Sequence, residues 1–128
     1  MIIRDKADLV GGPNHSQFNG GTSVRHLTRV DGVGFSLHDT FLEAGTSLTL
    51  EYKNHIEANL CIEGTGEVQD LTTQEIFSIH PGVSYTLDKH DRHKLTAITD
   101  LRLICVFNPA VVGTEKHDAD GSYPLIES

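Results

Sequence analysis

Five residues at fixed intervals are the part of this sequence best suited to chemistry. They are Gly45, Glu57, Gly64, Gly82 and His93. A carboxylate and an imidazole are side chains that bind metal ions or transfer protons. Glu57 has apolar neighbours at the start of a candidate strand, where an unpaired carboxylate would be costly. We therefore expect Glu57 and His93 to bind a metal ion, with a solvated turn acid as the alternative for Glu57.

The intervals resemble two motifs of the cupins, a family of small β-barrels. The motifs read G-x5-H-x-H-x3,4-E-x6-G and G-x5-P-x-G-x2-H-x3-N. In the first, Glu57 takes the acidic position, but Glu51 and Lys53 occupy the two histidine positions. In the second, His93 takes the histidine position. The usual histidine pair is thus missing, so a metal ion would need another ligand, and the chain offers Tyr85.

Length and composition limit the possible functions. A chain of 128 residues is one domain with one core, residues 1–128. Its 18 acidic against 10 basic residues give a net charge of −8, which disfavours nucleic acid and anionic membranes as partners. No apolar run is long enough to span a membrane, and the N-terminus does not resemble a signal peptide. Cys61 and Cys105 lie in apolar runs, which favours reduced thiols in the cytosol over a disulfide.

The arrangement of apolar segments predicts an all-β fold. Short stretches rich in β-branched and aromatic residues alternate with Gly, Asn, Asp and Pro, which favours an antiparallel sandwich or barrel over βαβ units. No helix of useful length is predicted. The stretch 11–21 is expected to be a loop, and residues 113–128, which are polar and irregular, a C-terminal lid. The candidate strands are residues 2–4, 23–30, 35–42, 47–52, 58–63, 65–70, 75–79, 83–87, 92–98 and 101–107.

Strand parity places several polar side chains together. Alternate residues of a strand face the same side. His38 and Thr40 therefore share one face of their strand, and Cys105 and Phe107 share one face of the last strand. Parity allows these four side chains to line one cavity, although Cys105 and Phe107 would serve equally well as ordinary core residues.

Longer blocks of the chain resemble one particular cupin family, the ectoine synthases. The resemblance runs from Met1 to Leu125, and the blocks LDKHDRH and RLICVFNP are far more specific than the cupin spacing. The segments that carry it are residues 31–36, 52–58, 61–66, 87–93, 101–109 and 117–124. It implies a single small cupin barrel that acts as a cytoplasmic, iron-dependent, homodimeric lyase. The implied reaction closes N-γ-acetyl-L-2,4-diaminobutyrate into the cyclic amidine ectoine with loss of water.

The resemblance also assigns roles to residues. It implies that Glu57, Tyr85 and His93 hold the metal ion, which we expect to be Fe(II), although Zn or Mn could take the same ligands. Without it, Tyr85 would be read as a core aromatic residue. The implied catalytic residues are Tyr52, Glu115 and His117. The implied substrate-binding residues are Arg25, Thr40, Cys105 and Phe107. His38 is a further substrate-binding candidate, because strand parity places it on the same face as Thr40. Arg25 would hold the substrate carboxylate, since its planar fork matches a carboxylate.

Two positions depart from the family pattern. Gly21 stands where the family has a Trp in a W-x-S pattern, so a large aromatic wall of the pocket is absent or comes from elsewhere. His38 stands where some members carry Asn. The loss of the aromatic residue leaves open the alternative that the protein is a non-catalytic barrel that binds or senses ectoine. A third alternative is a cyclase or hydrolase that acts on a related acylated diamino acid.

Overall fold

The structure is a computed structural model in which residues 1–112 are described. The predicted lid, residues 113–128, lies outside the described residues, and so do Glu115 and His117. Within residues 1–112, no helix is long and apolar enough to cross a membrane.

Ten antiparallel strands form two sheets, which confirms the predicted all-β fold. The six-stranded sheet has the order β1-β2-β3-β10-β5-β8, and the four-stranded sheet has the order β4-β9-β6-β7. Two facing antiparallel sheets of this kind are a jelly-roll barrel. The strands are β1 (His15–Phe18), β2 (Gly21–Leu27), β3 (Ser36–Leu42), β4 (Ser47–Leu50), β5 (Ile56–Glu63), β6 (Gly66–Asp70), β7 (Ile76–Ile79), β8 (Ser84–Leu87), β9 (His93–Ala97) and β10 (Leu101–Asn108).

Strand β10 lies at the centre of the larger sheet, between β3 and β5. Its residues alternate between buried and half-buried along almost its whole length, as the period of a strand requires. Leu101 and Leu103 are almost fully buried and pack with Leu42 of β3 and with the apolar side chains of the smaller sheet. The core therefore fills the space between the sheets.

The N-terminal segment differs from the prediction. Residues 2–4, predicted as a strand, are irregular. Side-chain hydrogen bonds of Arg4 hold this segment in place, and no backbone pairing with a strand among residues 1–112 does so. The Arg4 Nη1 donates hydrogen bonds to Asp31 Oδ2 over 2.8 Å and to the His26 carbonyl oxygen over 2.6 Å. A short helix, α1 (Lys6–Leu9), follows, with Asp5 Oδ1 accepting from the Ala7 backbone N–H at its start. This helix has four residues and agrees with the prediction of no helix of useful length.

The predicted loop over residues 11–21 also contains structure. Strand β1 lies within it and forms a hairpin with β2, in which His15 pairs with Val24 and Phe18 with Gly21. The next predicted strand, residues 23–30, ends at Leu27, and a 3-10 helix covers Arg29–Asp31. Thr28 and Asp31 form a capping box at the start of that helix, which stops the strand.

Candidate active site

Side chains that point into the barrel lie in layers, because paired residues of an antiparallel sheet share one level. One layer contains Glu57, Phe107 and Ser36, and the next contains side chains from five strands. The members of this second layer are Arg25, His38, Cys105, Asn59 and Tyr85. Alternation along the strands thus brings residues far apart in sequence to the same part of the interior.

One cavity collects most of the residues to which the sequence gave roles. They come from β3, β5, β8 and β10 and from the segment after β4. The predicted residues that line it are His38, Thr40, Tyr52, Glu57, Tyr85, Cys105 and Phe107. His93 lines a neighbouring cleft, and Tyr85 lines both that cleft and the cavity.

The imidazole of His93 has the hydrogen-bond pattern of a metal ligand. Its Nδ1 atom lies 2.9 Å from the Asp91 carbonyl oxygen, so Nδ1 carries the hydrogen and Nε2 the lone pair. Nε2 is buried and has no hydrogen-bond partner among residues 1–112. The His93 ring centroid lies 6.4 Å from that of Tyr85. A backbone carbonyl that orients the far nitrogen is the usual arrangement around a metal-binding histidine.

Burial disfavours the anionic forms of the other two candidate ligands. It raises the pKa of Glu57 to about 8, with Asn59 acting in the opposite direction. Burial, and next the nearby Glu57 carboxylate, raise the pKa of Tyr85 well above its ordinary value. A divalent cation reverses both effects, because it favours a carboxylate and a phenolate over their neutral forms. The donor set of one carboxyl, one phenol and one imidazole therefore fits a metal ion.

The described part of the chain contains no cluster of three His, Cys, Asp or Glu side chains arranged for a metal ion. Glu57 and His93 supply only two groups of these types. A metal site among residues 1–112 thus depends on Tyr85 as the third donor. This dependence agrees with the sequence analysis, in which Tyr85 was the ligand offered in place of the missing histidine pair.

His38 is held neutral inside the barrel. Its Nε2 lies 3.1 Å from Ser36 Oγ and its Nδ1 lies 3.4 Å from Ser23 Oγ. Burial lowers the pKa of His38 well below its ordinary value, and the charges of Arg25 and His55 lower it further. His38 can therefore exchange a hydrogen bond with a substrate but does not carry a charge.

Cys105 is likewise a neutral group. Burial, and then the Glu57 carboxylate, raise the pKa of its thiol well above the ordinary value. Its Sγ atom lies 3.5 Å from Thr40 Oγ1. Since only the thiolate is a strong nucleophile, Cys105 is suited to shaping the cavity and not to covalent catalysis.

Two aromatic rings form one wall of the cavity. Tyr52 and Phe107 meet edge to face, with ring centroids 5.1 Å apart. Strand β4 ends at Leu50, before the predicted end at residue 52, so Tyr52 lies in the segment after it. The Tyr52 carbonyl oxygen lies 2.7 Å from His90 Nδ1, which fixes this segment.

Arg25 is separate from the cavity lining. Its side chain is 1% exposed, and it pairs with His38 across β2 and β3. The charge of Arg25 helps to lower the pKa of His38, so the two side chains are close together. Arg25 thus lies in the same layer as His38 but is not among the side chains that line the cavity described above.

Three further residues of the interior were not predicted. Asn59 lines the cavity and shares a face of β5 with Glu57, so strand parity could have identified it. His55 is buried and meets Phe107 edge to face, but it precedes the strand and no periodicity points to it. Phe18 lines the cavity from β1, a strand that the sequence did not predict.

The comparisons with known proteins identify the family of this chain. The family model described as "Ectoine synthase" matches residues 1–127 of the chain. The chain belongs to the ectoine synthase family. This membership confirms the family resemblance found in the sequence.

Individual ectoine synthases match over nearly their whole length. L-ectoine synthase of Oceanobacillus iheyensis is 48% identical over 126 residues, which is 98% of each chain. L-ectoine synthase of Desulfosudis oleivorans is 48% identical over 128 residues, which is 99% of each chain. The crystal structure of ectoine synthase from P. lautus superposes with a TM-score of 0.89 at 42% identity, covering all of this chain and 92% of that one.

More distant structures share only the fold of the ectoine synthase barrel. KdgF from Halomonas sp. superposes with a TM-score of 0.64 at 16% identity, over 74% of this chain and 84% of that one. The oxalate decarboxylase OxdC of Bacillus subtilis superposes with a TM-score of 0.65 over 75% of this chain at 16% identity. These likenesses support the double-sheet barrel fold. They give no information about the chemistry of this chain.

Proposed function

We propose that the protein is an L-ectoine synthase that converts N-γ-acetyl-L-2,4-diaminobutyrate into ectoine and water. The observation that carries this proposal is one cavity lined by seven of the site residues predicted from the sequence. The near full-length identity to L-ectoine synthases supports it. We further propose that the enzyme acts in the cytoplasm as a homodimer, as the family resemblance implies.

Glu57, Tyr85 and His93 would hold an Fe(II) ion. Support comes from the buried Nε2 of His93, which has no partner among residues 1–112, and from the raised pKa values of the other two groups. When bound, the ion supplies Lewis-acid polarisation of the acetamide carbonyl, which is otherwise a poor electrophile. His93 contributes a neutral donor, while the two anionic donors offset the charge of the ion.

The reaction itself is an intramolecular condensation. The α-amine nitrogen forms a bond to the acetamide carbon, and the carbon–oxygen bond of that amide breaks. Both hydrogens of the water that leaves come from nitrogen, so each must pass to the departing oxygen. The chain's task is therefore to fold a flexible substrate and to move protons.

Folding the substrate orients two groups that one short chain already tethers. The tether itself supplies much of the entropic advantage of an intramolecular reaction, so the protein contributes the near-attack geometry. Arg25, which lies beside the cavity in the same layer as His38, would hold the α-carboxylate, as the family resemblance implies. Phe107 and Tyr52 offer a flat wall against which the ring closes. His38 and Thr40 provide hydrogen-bonding groups beside that wall without adding charge.

Proton transfer would fall to Glu115 and His117, with Tyr52 beside the reacting groups. This assignment rests on the family resemblance, because Glu115 and His117 lie outside the described residues. A carboxylate and an imidazole have pKa values suited to passing protons between an amine and a departing oxygen near neutral pH.

The test is direct. Purified protein, loaded with Fe(II) under anaerobic conditions, is incubated with N-γ-acetyl-L-2,4-diaminobutyrate, and the products are separated by chromatography. We expect ectoine to accumulate in proportion to enzyme and time. Binding of ectoine without any turnover of the acetylated diamine would contradict the proposal and favour a binding module.

A further inference from the structure

His90 lies in the turn between β8 and β9 and has an unusual backbone conformation. Its φ is +55°, in the left-handed region that a residue with a side chain rarely adopts. Among residues 1–112, Gln74 is the one other residue besides glycine with a positive φ. Strained conformations of this kind persist where the surrounding contacts require them, and they cluster at functional sites. The contact of the His90 side chain shows what this conformation achieves.

The imidazole of His90 reaches a backbone group 38 residues earlier in the chain. Its Nδ1 atom lies 2.7 Å from the Tyr52 carbonyl oxygen. A carbonyl oxygen only accepts hydrogen bonds, so Nδ1 carries the hydrogen and donates it. The pairing of β4 with β9 ends at Leu50, which lies opposite His93. The His90 bond therefore holds the chain just beyond the point where strand pairing stops.

The two segments that this bond joins both lead to residues of the candidate site. One runs from Tyr52 into β5 and to Glu57, and the other runs from His90 into β9, which begins at His93. The Tyr52 side chain is buried, and its ring centroid lies 6.2 Å from that of His93. The same ring meets Phe107 edge to face. A movement of the Tyr52 backbone would thus move its ring relative to both neighbours.

The bond can set the place of Tyr52 without being part of the core. His90 is exposed, so its ring adds little to the packing of the barrel. Tyr52 lies in an irregular segment between two strands, where its backbone belongs to neither sheet. A catalytic group has to be held closely in place, because a displacement of about 1 Å can cost about 100-fold in rate.

We propose that His90 is a positioning residue that holds the Tyr52 ring in its reactive orientation through the Tyr52 carbonyl oxygen. This inference rests on the proposed function, in which Tyr52 lies beside the reacting groups. His90 is not among the described residues that line the cavity, so it acts through Tyr52 and does not touch the substrate.

Substitutions at His90 separate the hydrogen bond from the backbone conformation. His90→Gly accepts the left-handed conformation and loses the donor. His90→Asn also tolerates that conformation, and its Nδ2 donor stands as many bonds from the backbone as Nδ1 of histidine. His90→Asp has the shape of asparagine without a donor, and it replaces His90→Gly if that variant fails to fold. Gln74→Gly is the matched control, because it frees the other left-handed residue, in the turn between β6 and β7.

The full-length, iron-loaded proteins are assayed with N-γ-acetyl-L-2,4-diaminobutyrate, and iron per chain and circular dichroism are measured on the same preparations. We expect kcat and kcat/KM of His90→Gly to fall together by about tenfold or more, since the displaced group acts in the transition state. Its iron content and circular dichroism should equal those of the wild type. His90→Asn should recover most of the wild-type rate, and Gln74→Gly should keep it.

A double-mutant cycle tests whether His90 acts through Tyr52. His90→Gly is combined with Tyr52→Leu, which removes the ring and its hydroxyl but keeps an apolar side chain in the core. If His90 acts through that ring, His90→Gly should have little further effect on the rate of Tyr52→Leu. Equal fold losses in the wild-type and Tyr52→Leu backgrounds would overturn the inference, because His90 would then act independently of Tyr52.

Failure of this inference is distinguishable from failure of the proposed function. If the wild type forms ectoine and folded His90→Gly keeps its kcat or loses its iron, His90 does not position Tyr52 and the proposed function stands. The same conclusion follows if His90→Asn is as slow as His90→Gly. If the iron-loaded wild type forms no ectoine, the proposed function fails and this inference fails with it.

Discussion

The imidazole of His38 stacks on the ring of Phe107, with centroids 4.8 Å apart and an angle of 32° between the planes. Hydroxyl groups of Ser36 and Ser23 lie against its two nitrogens. Packing on one side and neutral partners at both nitrogens leave no place for a charged imidazole. The interior beside the cavity is thus polar, and burial favours the neutral forms of its titratable side chains.

The first prediction concerns the pH dependence of stability. The pKa of His38 is lowered in the folded state, so the unfolded chain binds the proton more readily. Stability from this site is complete above the unfolded pKa of about 6.5 and falls as the pH drops below it, by at most about 2 kcal/mol at pH 5. His38→Asn removes the titrating group and should flatten that fall.

Urea unfolding of the metal-free protein at pH 5 and pH 7.5 measures this effect. The free energy of unfolding should fall more between the two pH values in the wild type than in His38→Asn. His80→Asn is the control, because His80 is exposed and should leave the wild-type slope intact. Equal slopes in His38→Asn and the wild type would show that His38 does not resist protonation.

The second prediction concerns substrate anchoring. Arg25→Lys keeps the charge but loses the two-bond geometry, so substrate binding should weaken by about 1–3 kcal/mol. Arg102→Lys is the matched control. Arg102 lies on the outer face of the sheet, where its Nη2 is 2.6 Å from Asp39 Oδ2. Calorimetric titration of both variants with the acetylated diamine should show a loss only for Arg25→Lys; equal affinities would assign the carboxylate to another cation.

The third prediction concerns the C-terminal segment. Removing residues 113–128 takes away Glu115 and His117 but keeps Val111, whose N–H donates to Ser36 Oγ over 3.2 Å. The barrel and its iron should therefore remain, while cyclisation should fall by about 100-fold or more, the typical contribution of general acid–base groups. Iron content and rate are measured on the same truncated preparation. A rate near the wild-type value would place proton transfer inside the barrel.

The fourth prediction compares two glycines in the left-handed region. Gly64 has φ of +84°, and a Cβ there would collide with the Asp100 carbonyl oxygen. Gly82 has φ of +97°, and a Cβ there would have nothing within 4 Å. Gly82→Ala should lower the free energy of unfolding by about 1 kcal/mol and Gly64→Ala by clearly more, because only the second adds a backbone clash to the strain. Equal losses in urea unfolding would contradict the contact at Gly64.

Much of the fold was predictable because alternation survives in the strands with one buried face. In β10, buried side chains recur at every second position, and the predicted bounds of β3 and β10 agree with the structure to within a residue. The hairpin of β1 and β2 was not predictable in the same way. Strand β1 contains His15 and Phe18 but no run of β-branched residues, and its pairing with β2 supplies what its composition does not.

The residues of the candidate site also divide into those that strand parity predicts and those that it does not. Parity placed His38 with Thr40, and Cys105 with Phe107, and all four line the cavity. The contact of Phe18 with Gly21 could not be predicted, because it depends on a glycine in the opposite strand and on the close approach of the Phe41 carbonyl oxygen. Such a contact is a property of the folded chain and leaves no period in the sequence.

The central claim is that Glu57, Tyr85 and His93 hold the iron on which cyclisation depends. The most direct measurement is iron per chain and ectoine formed on the same anaerobic preparations of wild-type protein, His93→Ala and the control His80→Ala. We predict about one iron per chain and full activity in the wild type and control, with most of both lost in His93→Ala while its circular dichroism is unchanged. Full iron content in His93→Ala, or full cyclisation by a protein without iron, would contradict the account.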